Sequence, residues 1–142
     1  MADDALKLDN QLCFPLYACA REVVKQYKPE LDPLGLTYTQ YITMLVLWEE
    51  ERSTSKRIGE RLRLDSGTLT PVLKKLEEKG LVTRERSAED ERNLVVTLTG
   101  EGAALKTRAR DIPARMDACV RLSRDEAVQL YRLLYKLLGE ME

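Results

Sequence analysis

The segment 54–98 constrains the fold of this chain more than any other part. A short helical pattern over residues 55–62 is followed by a turn and a second helix that opens at Asp65. The second helix keeps its leucines on one face and its lysines on the other, as an amphipathic helix does. It ends at Gly80, a residue type that commonly closes helices. The segment therefore begins with two helices joined by a short turn.

Two strand-like runs follow these helices. Residues 81–86 alternate, and residues 94–98 form a matching run across seven mostly polar residues. This order of elements predicts a winged helix-turn-helix, a mostly α fold with a small β-hairpin wing. The second helix of such a unit presents polar side chains to the DNA major groove, so the sequence predicts a partner in double-stranded DNA.

The composition is that of a globular protein, with 142 residues, 44% of them hydrophobic and 33% charged. This length predicts one domain over residues 1–142. Residues 1–4 lack the basic start of a signal peptide, and no apolar stretch approaches the length of a membrane span. We therefore expect a cytoplasmic protein without a membrane partner.

The charges and the missing residue types exclude several functions. The net charge is −1, although residues 56–92 hold ten basic and eight acidic side chains, so DNA contact would depend on a few placed cations. Histidine is absent, which argues against zinc hydrolysis and histidine-dependent triads. No glycine-rich phosphate loop is present. We expect neither an enzyme nor a cofactor or metal.

The flanking segments predict further helices. Residues 16–27 have helical spacing, and Lys28-Pro29 is expected to end that helix. Thr37 and Gln40 fit a capping box at the start of a very apolar core helix. The apolar residues of this core helix are Ile42, Leu45, Val46, Leu47 and Trp48.

After the hairpin, Thr99 can cap a long helix over about 100–122, in which Pro113 is expected to cause a bend. A capping box at residues 123–126 opens a last helix with a broad apolar face. Helices over about 6–30 and 100–142 thus carry surplus apolar surface, which predicts a homodimer whose twofold axis matches a palindromic operator. The alternative is that they fold back over their own domain.

Three cysteines require an interpretation. Their odd number and the absence of a secretory signal argue against structural disulfides. Pro15 favours a helix start near Cys13, where the helix dipole would favour a thiolate and Phe14 and Tyr17 would shield it. The alternative is a small core residue. Cys19, inside the first helix, is expected to be inert.

Five stretches carry a resemblance to a known family: LDNQLCF at 8–14, KQYKP at 25–29, GLTYTQY at 35–41, LDSGTLTP at 64–71 and EDER at 89–92. Together they resemble the organic-hydroperoxide-sensing repressors of the MarR family over nearly the whole chain. The winged-helix part is shared by the wider MarR family, whereas the early Gln-Leu-Cys-Phe motif together with both tyrosine-containing motifs is specific to the peroxide sensors.

The resemblance implies a dimeric repressor in which an organic hydroperoxide oxidises Cys13 to sulfenic acid, after which the operator is released. It also implies that Tyr27 and Tyr38, supplied across the dimer interface, hydrogen-bond the reactive sulfur. Alternatively, both tyrosines are packing residues. Some members of the family use a second cysteine, and Cys119 stands where this resolving cysteine would be expected to form an intersubunit disulfide with Cys13. Capping of Cys13 by a small thiol is the alternative.

Residues of the second helix and the hairpin are expected to contact DNA. The hydroxyls at the start of the helix suit base edges or phosphates, and the two lysines that follow suit phosphates. The hairpin would reach phosphates or the minor groove. The predicted contacts are Ser66, Thr68, Thr70, Lys74, Lys75, Arg84, Arg86, Asp90 and Arg92, of which Asp90 and Arg92 match the wing-tip motif of the MarR family. A solvated helix face and a simple turn are the alternatives for the lysines and for Asp90.

We expect oxidation of Cys13 to disrupt the tyrosine network and to move the winged segments out of register with two successive grooves. Two other functions stay open. One is a MarR-type repressor released by a small aromatic ligand, with inert cysteines. The other is a thiol peroxidase.

Overall fold

The computed structural model describes residues 2–87, 89 and 93–139, and it is mainly helical. The helices are α1 (Cys13–Leu31), α2 (Tyr38–Glu50), α3 (Ser55–Leu62), α4 (Ser66–Glu78), α5 (Gly100–Ala109), α6 (Ile112–Asp117) and α7 (Arg124–Leu137). The strands are β1 (Arg52–Thr54), β2 (Val82–Arg86) and β3 (Leu94–Leu98). The contacts within the chain divide it into an N-terminal unit, Met1–Arg110, and a C-terminal unit, Asp111–Glu142.

The predicted winged helix-turn-helix is confirmed. Helices α3 and α4 have the predicted bounds, and β2 pairs with β3 in an antiparallel hairpin that aligns Thr83 with Thr97. The sheet has a third strand that the sequence prediction missed, because β1 pairs with the other edge of β3 and aligns Ser53 with Val96. Three residues are too few to show a recognisable alternation.

Helix α4 ends in the manner expected of a glycine. Gly80 has a φ of +77°, a left-handed conformation that favours glycine. Its N–H donates to the carbonyl of Glu77 at 2.9 Å, and the N–H of Leu81 donates to that of Leu76 at 3.0 Å. This paired arrangement satisfies the last carbonyls of the helix and directs the chain into β2.

The predicted helix starts are confirmed at α2, α5 and α7. Thr37 and Gln40 exchange side-chain and backbone hydrogen bonds at the start of α2, and Ser123 and Glu126 do the same at α7. Thr99 accepts from the N–H of Gly102 at 3.0 Å at the start of α5. Each contact satisfies donors that the first helical turn leaves open.

Two predicted helix boundaries were wrong. Pro29 lies inside α1, because the helix continues to the buried Leu31 and the proline removes one hydrogen bond at an exposed position. The long helix proposed over 100–122 is instead α5 and α6, separated at Arg110 and Asp111. Pro113 lies in the first turn of α6, where its missing N–H is not needed, so the chain starts a new helix rather than bending one.

The N-terminal unit has its core where α2 meets α3, α4 and the sheet. Its fully buried apolar side chains are Leu31, Met44, Leu47, Ile58, Leu73, Leu76, Val82 and Val96. Trp48 donates from Nε1 to the carbonyl of Gly102 at 2.8 Å, which ties α2 to α5. Leu45, which was expected to be buried, is exposed, and Ile42 is half-buried.

The C-terminal unit contains α6 and α7. No residue of α7 is buried, whereas α6 buries Ile112 and Met116. Within the described part of the chain, no helix combines the length and the apolar composition that crossing a bilayer demands. The single domain over residues 1–142 stays a prediction.

Candidate functional site

Cys13 is the first residue of α1, as the position of Pro15 predicted. Its side chain is exposed. Phe14 and Tyr17 are exposed as well, so within one chain they do not cover the thiol. The Tyr17 ring instead lies 5.6 Å from the guanidinium carbon of Arg21, whose Nη1 donates to the Tyr17 hydroxyl at 3.5 Å. The sulfur is thus open to a reactant or to a second chain.

Tyr27 and Tyr38 lie side by side, although they belong to different helices. Their ring centroids are 4.9 Å apart, with the planes tilted by 60°. Both side chains are half-buried. Burial raises the pKa of Tyr38, which keeps this hydroxyl protonated and able to donate at neutral pH.

The two predicted tyrosines are distant from Cys13 of the same chain. Cys13 and Tyr27 are 14 residues apart on one uninterrupted helix. At about 1.5 Å per residue, this spacing separates their backbones by roughly 21 Å. Tyr38 packs on Tyr27 and is therefore at the same far end. A single chain cannot bring these hydroxyls to its own sulfur.

A third tyrosine, Tyr41, belongs to the same cluster and was given no role from the sequence. Its ring centroid lies 5.6 Å from that of Tyr27 and 6.4 Å from that of Tyr38. Only 3% of Tyr41 is exposed. Burial and, to a lesser extent, repulsion from Tyr38 when Tyr38 is ionised at high pH raise the pKa of Tyr41. The three-residue spacing of Tyr38 and Tyr41 places both on one face of a helix, and this is the sequence signal that could have found it.

Cys119 lies in the turn after α6 and is exposed, rather than near the end of a long helix as expected. Its Sγ is 3.5 Å from the carbonyl oxygen of Arg115, a contact in which the thiol is the donor. The pairing of Cys119 with Cys13 stays a prediction. Cys19 lies within α1 and is also exposed.

The start of α4 presents the three predicted hydroxyl residues, Ser66, Thr68 and Thr70, to solvent. Asp65 caps the helix and accepts from the N–H of Thr68 at 2.7 Å. This hydrogen bond lowers the pKa of the Asp65 carboxyl, because it favours the charged form. The Thr68 side chain also bonds the Asp65 carboxylate, whereas Ser66 and Thr70 are exposed on the first turns of the helix.

The predicted cations differ in their surroundings. Lys74 and Lys75 are exposed on α4, and Lys75 forms an exposed ion pair with Glu78 at 3.4 Å. Arg86 is exposed at the end of β2. Asp90 and Arg92, the predicted wing-tip residues, lie outside the described residues.

The Arg84 side chain, which was expected to contact DNA, forms contacts within the chain instead. Its Nη2 lies 3.1 Å from Oε1 of Glu77, and its backbone N–H donates to Oε2 of the same carboxylate at 3.0 Å. The side chain is only 20% exposed. Arg84 therefore braces β2 against α4.

A second pair of contacts, not foreseen from the sequence, ties α3 to the core helix. Arg57 donates from Nε to Oε1 of Glu50 at 2.6 Å, and Arg61 lies 3.1 Å from Glu49. The Arg57 hydrogen bond lowers the pKa of the Glu50 carboxyl. These acidic residues hold the first helix of the helix-turn-helix in place.

An open groove of about 530 Å³ runs between α3, α4 and the hairpin. Its lining combines apolar and polar side chains, including Leu69, Leu73, Lys56 and Asn93. Among the residues that the structure describes, no three potential metal ligands cluster together.

Known proteins resemble this chain along nearly its whole length. The transcriptional regulator SarA/Rot family matches residues 25–108. The organic hydroperoxide resistance transcriptional regulator of Bacillus subtilis (strain 168) is 54% identical over 135 residues, which cover 95% of this chain and 92% of that protein.

Solved structures of AbfR from Staphylococcus epidermidis agree with this assignment. Reduced AbfR bound to DNA has a TM-score of 0.80 at 38% identity, covering 98% of this chain and 97% of that one. The disulfide form has a TM-score of 0.65 at 37% identity, covering 98% and 94%. The resemblance seen in the sequence motifs is confirmed. The chain belongs to the SarA/Rot and MarR-type family of winged-helix transcriptional regulators.

Proposed function

We propose that this protein is a redox-sensing transcriptional repressor. It binds operator DNA as a homodimer while Cys13 is reduced, and it dissociates when an organic hydroperoxide oxidises Cys13. Its action lies in the cytoplasm, where the DNA is, and it requires no enzymatic turnover. The name of the Bacillus subtilis relative and the DNA-bound AbfR structure support this reading.

One observation carries the proposal: Cys13 and the Tyr27–Tyr38 pair lie at opposite ends of α1, about 21 Å apart. In a twofold dimer, two antiparallel α1 helices would bring Cys13 of one chain to Tyr27 and Tyr38 of the partner subunit. The exposed apolar side chains of α1, among them Leu16, Val23 and Val24, supply a surface for such a contact.

The chemistry follows from a thiolate held by tyrosine hydroxyls. The sulfur of Cys13 attacks the terminal oxygen of the hydroperoxide, the O–O bond breaks, and the departing alkoxide takes a proton to become an alcohol. The sulfur loses two electrons and becomes a sulfenic acid, while the peroxide is reduced. The Tyr27 and Tyr38 hydroxyls stabilise the thiolate by donating to it, and oxidation changes the atom that they bind.

The sulfenic acid is then resolved by a thiol. The Cys119 thiolate of the partner subunit attacks the Cys13 sulfur, a disulfide forms, and the hydroxyl group leaves as water after protonation. The exposure of both cysteines supports this step. A small cellular thiol would react in the same way if Cys119 is a bystander. The disulfide form of AbfR is a precedent within the family.

The DNA-binding surface is the start of α4 with its neighbouring cations. Ser66, Thr68 and Thr70 contact base edges or phosphates, and Lys74 and Lys75 contact phosphates. Arg86 and the wing-tip residues Asp90 and Arg92 contact the adjacent backbone or minor groove. A shift of a few Å at the dimer interface would remove both helices from register with successive grooves.

A second candidate is supported by the groove beside α4. Its volume of about 530 Å³ and the leucines among its lining residues would accommodate a small aromatic compound. In that case the ligand would release the operator, and the cysteines would be inert.

The test follows binding of the purified protein to its own upstream promoter DNA, before and after stoichiometric cumene hydroperoxide, at fixed salt. Wild type is compared with Cys13→Ser, Cys119→Ser and the matched control Cys19→Ser, which alters another exposed thiol of α1. Release by wild type and Cys19→Ser but not by Cys13→Ser would support the redox switch. Non-reducing gels would show whether Cys119 closes an intersubunit bridge.

Equal DNA binding by all four proteins before and after peroxide would overturn the redox mechanism. Release of Cys13→Ser by phenolic compounds would then support the ligand-responsive repressor.

A further inference from the structure

The three tyrosines of the cluster differ in how deeply their side chains are buried. Tyr27 and Tyr38 are half-buried and present one side to the surface, where a second chain could reach them. Tyr41 is 3% exposed and lies behind both. A tyrosine hydroxyl moves with its ring, so its position depends on what the ring packs against.

Tyr41 packs in turn against a residue of the core, Trp48. Its ring meets Trp48 edge-on, with centroids 6.3 Å apart and planes at 69°. Trp48 is anchored by its hydrogen bond to the carbonyl of Gly102 in α5. A continuous set of contacts therefore runs from α5 through Trp48 and Tyr41 to the two outer tyrosines.

We propose that Tyr41 is a positioning residue of the peroxide sensor, whose ring holds Tyr27 and Tyr38 in the geometry that binds the sulfur of Cys13 in the partner subunit. This inference rests on the proposed function and adds a residue to its site. The ring performs this role through packing, so the Tyr41 hydroxyl is dispensable.

The experiment measures the rate at which cumene hydroperoxide converts Cys13 to sulfenic acid, trapped with dimedone and quantified by mass spectrometry. The full-length protein carries Cys19→Ser and Cys119→Ser, so that only Cys13 reports. Tyr41→Leu should slow the reaction by about tenfold or more, because small errors in the placement of reactive groups are costly. Tyr41→Phe keeps the ring, so its rate should stay within about twofold of that of the parent protein, which carries only the two cysteine substitutions. DNA affinity of the reduced dimer is measured in parallel and should change little.

A matched control separates positioning from general loss of stability. Val96→Ala removes volume from a fully buried site in β3, outside the aromatic cluster, and should leave the reaction rate unchanged. Should Tyr41→Leu fail to fold, Tyr41→Met replaces it with the same expectation.

An unchanged rate in Tyr41→Leu or Tyr41→Met would overturn the inference. A loss in Tyr41→Phe equal to that in Tyr41→Leu would overturn it too, since the hydroxyl and not the ring would then matter. If Val96→Ala slowed the reaction to the same extent, the slowing by Tyr41→Leu would be a consequence of lost stability and not of lost positioning. If Cys13 of the parent protein does not react at all, it is the proposed function that fails.

Discussion

Helices α4 and α7 both gather leucines on one face, but only α4 covers that face within its own unit. Leu69, Leu73 and Leu76 of α4 are buried in the N-terminal unit, where α4 contacts α2, α3 and β2. In α7, no residue is buried, and Leu130 and Leu133 are exposed. An amphipathic pattern alone therefore predicts a helix with a face to cover, but not what covers it.

The same contrast holds at the other end of the chain. Leu31 is the one described residue of α1 that is buried, and the helix exposes apolar side chains along its length. A dimeric DNA-binding protein requires a DNA-binding unit whose apolar core is covered within one chain. It also requires terminal helices whose apolar faces are left for the partner subunit. The two regions should therefore respond differently to substitution.

The largest effect is expected on α7. Leu130→Asp would place an unpaired carboxylate in the proposed dimer contact, at a cost of several kcal/mol. We expect monomers at micromolar concentration by analytical ultracentrifugation and a loss of operator affinity of about 100-fold or more. Arg132→Asp introduces the same group on the opposite face and should leave the dimer intact. A persistent Leu130→Asp dimer would place the interface elsewhere.

The winged segment should lose stability without losing the dimer. Leu73→Ala leaves a cavity at a fully buried site, and we expect the free energy of unfolding in urea to fall by about 2–5 kcal/mol. Leu45→Ala, at an exposed position in α2, should cost much less. Similar losses for both variants would mean that the two sites do not differ in packing.

A smaller effect is expected when a lysine is neutralised, and it should differ between α4 and α7. Lys74→Gln should weaken operator binding and reduce the slope of log K against log salt by about one, as expected for one lost phosphate contact. Lys136→Gln in α7 provides the control, because it removes the same charge far from α4 in the sequence. Salt titrations by fluorescence anisotropy measure both, and equal slopes for Lys74→Gln and wild type would remove Lys74 from the DNA-binding surface.

The smallest effect concerns pH. The pKa of Asp65 is lowered in the folded protein, so the stabilising effect of its carboxylate is present above the ordinary aspartate pKa of about 3.9 and is lost as the pH falls through the lower folded value. Asp65→Asn keeps a capping oxygen without the charge. The difference in thermal midpoint between wild type and Asp65→Asn should therefore shrink as the pH falls below about 4 and through the lower folded pKa. A difference that is constant over this range would contradict the carboxylate cap.

Local signals predicted those parts of the fold that depend on a few neighbouring residues. The capping boxes at Thr37 and Ser123 were legible because each is a contact within four residues. The strand β1 and the break between α5 and α6 were missed. The first is defined by a partner strand some 40 residues away, and the second depended on whether the chain bends or restarts at Pro113.

The candidate site divides in the same way. The sequence placed Cys13 at a helix start and three hydroxyls at the start of α4, since both follow from helix-terminus chemistry. It gave no reason to pair Arg84 with Glu77, and the spacing of Tyr41 from Tyr38 did not show that Tyr41 also packs near Tyr27 of α1. Those contacts join different elements of the fold and depend on packing.

The sequence by itself determined the helix-turn-helix, its hairpin, the caps at Thr37, Thr99 and Ser123 and the apolar faces of the helices, because these properties arise from residues close together in the chain. The tertiary structure decided which faces are covered, which tyrosines meet and how far they lie from Cys13 of the same chain. The physical reason is that burial and distance belong to pairs of elements. The 14-residue spacing of Cys13 and Tyr27 in α1 shows this best, because a single helix keeps the sulfur and the hydroxyls of one chain apart.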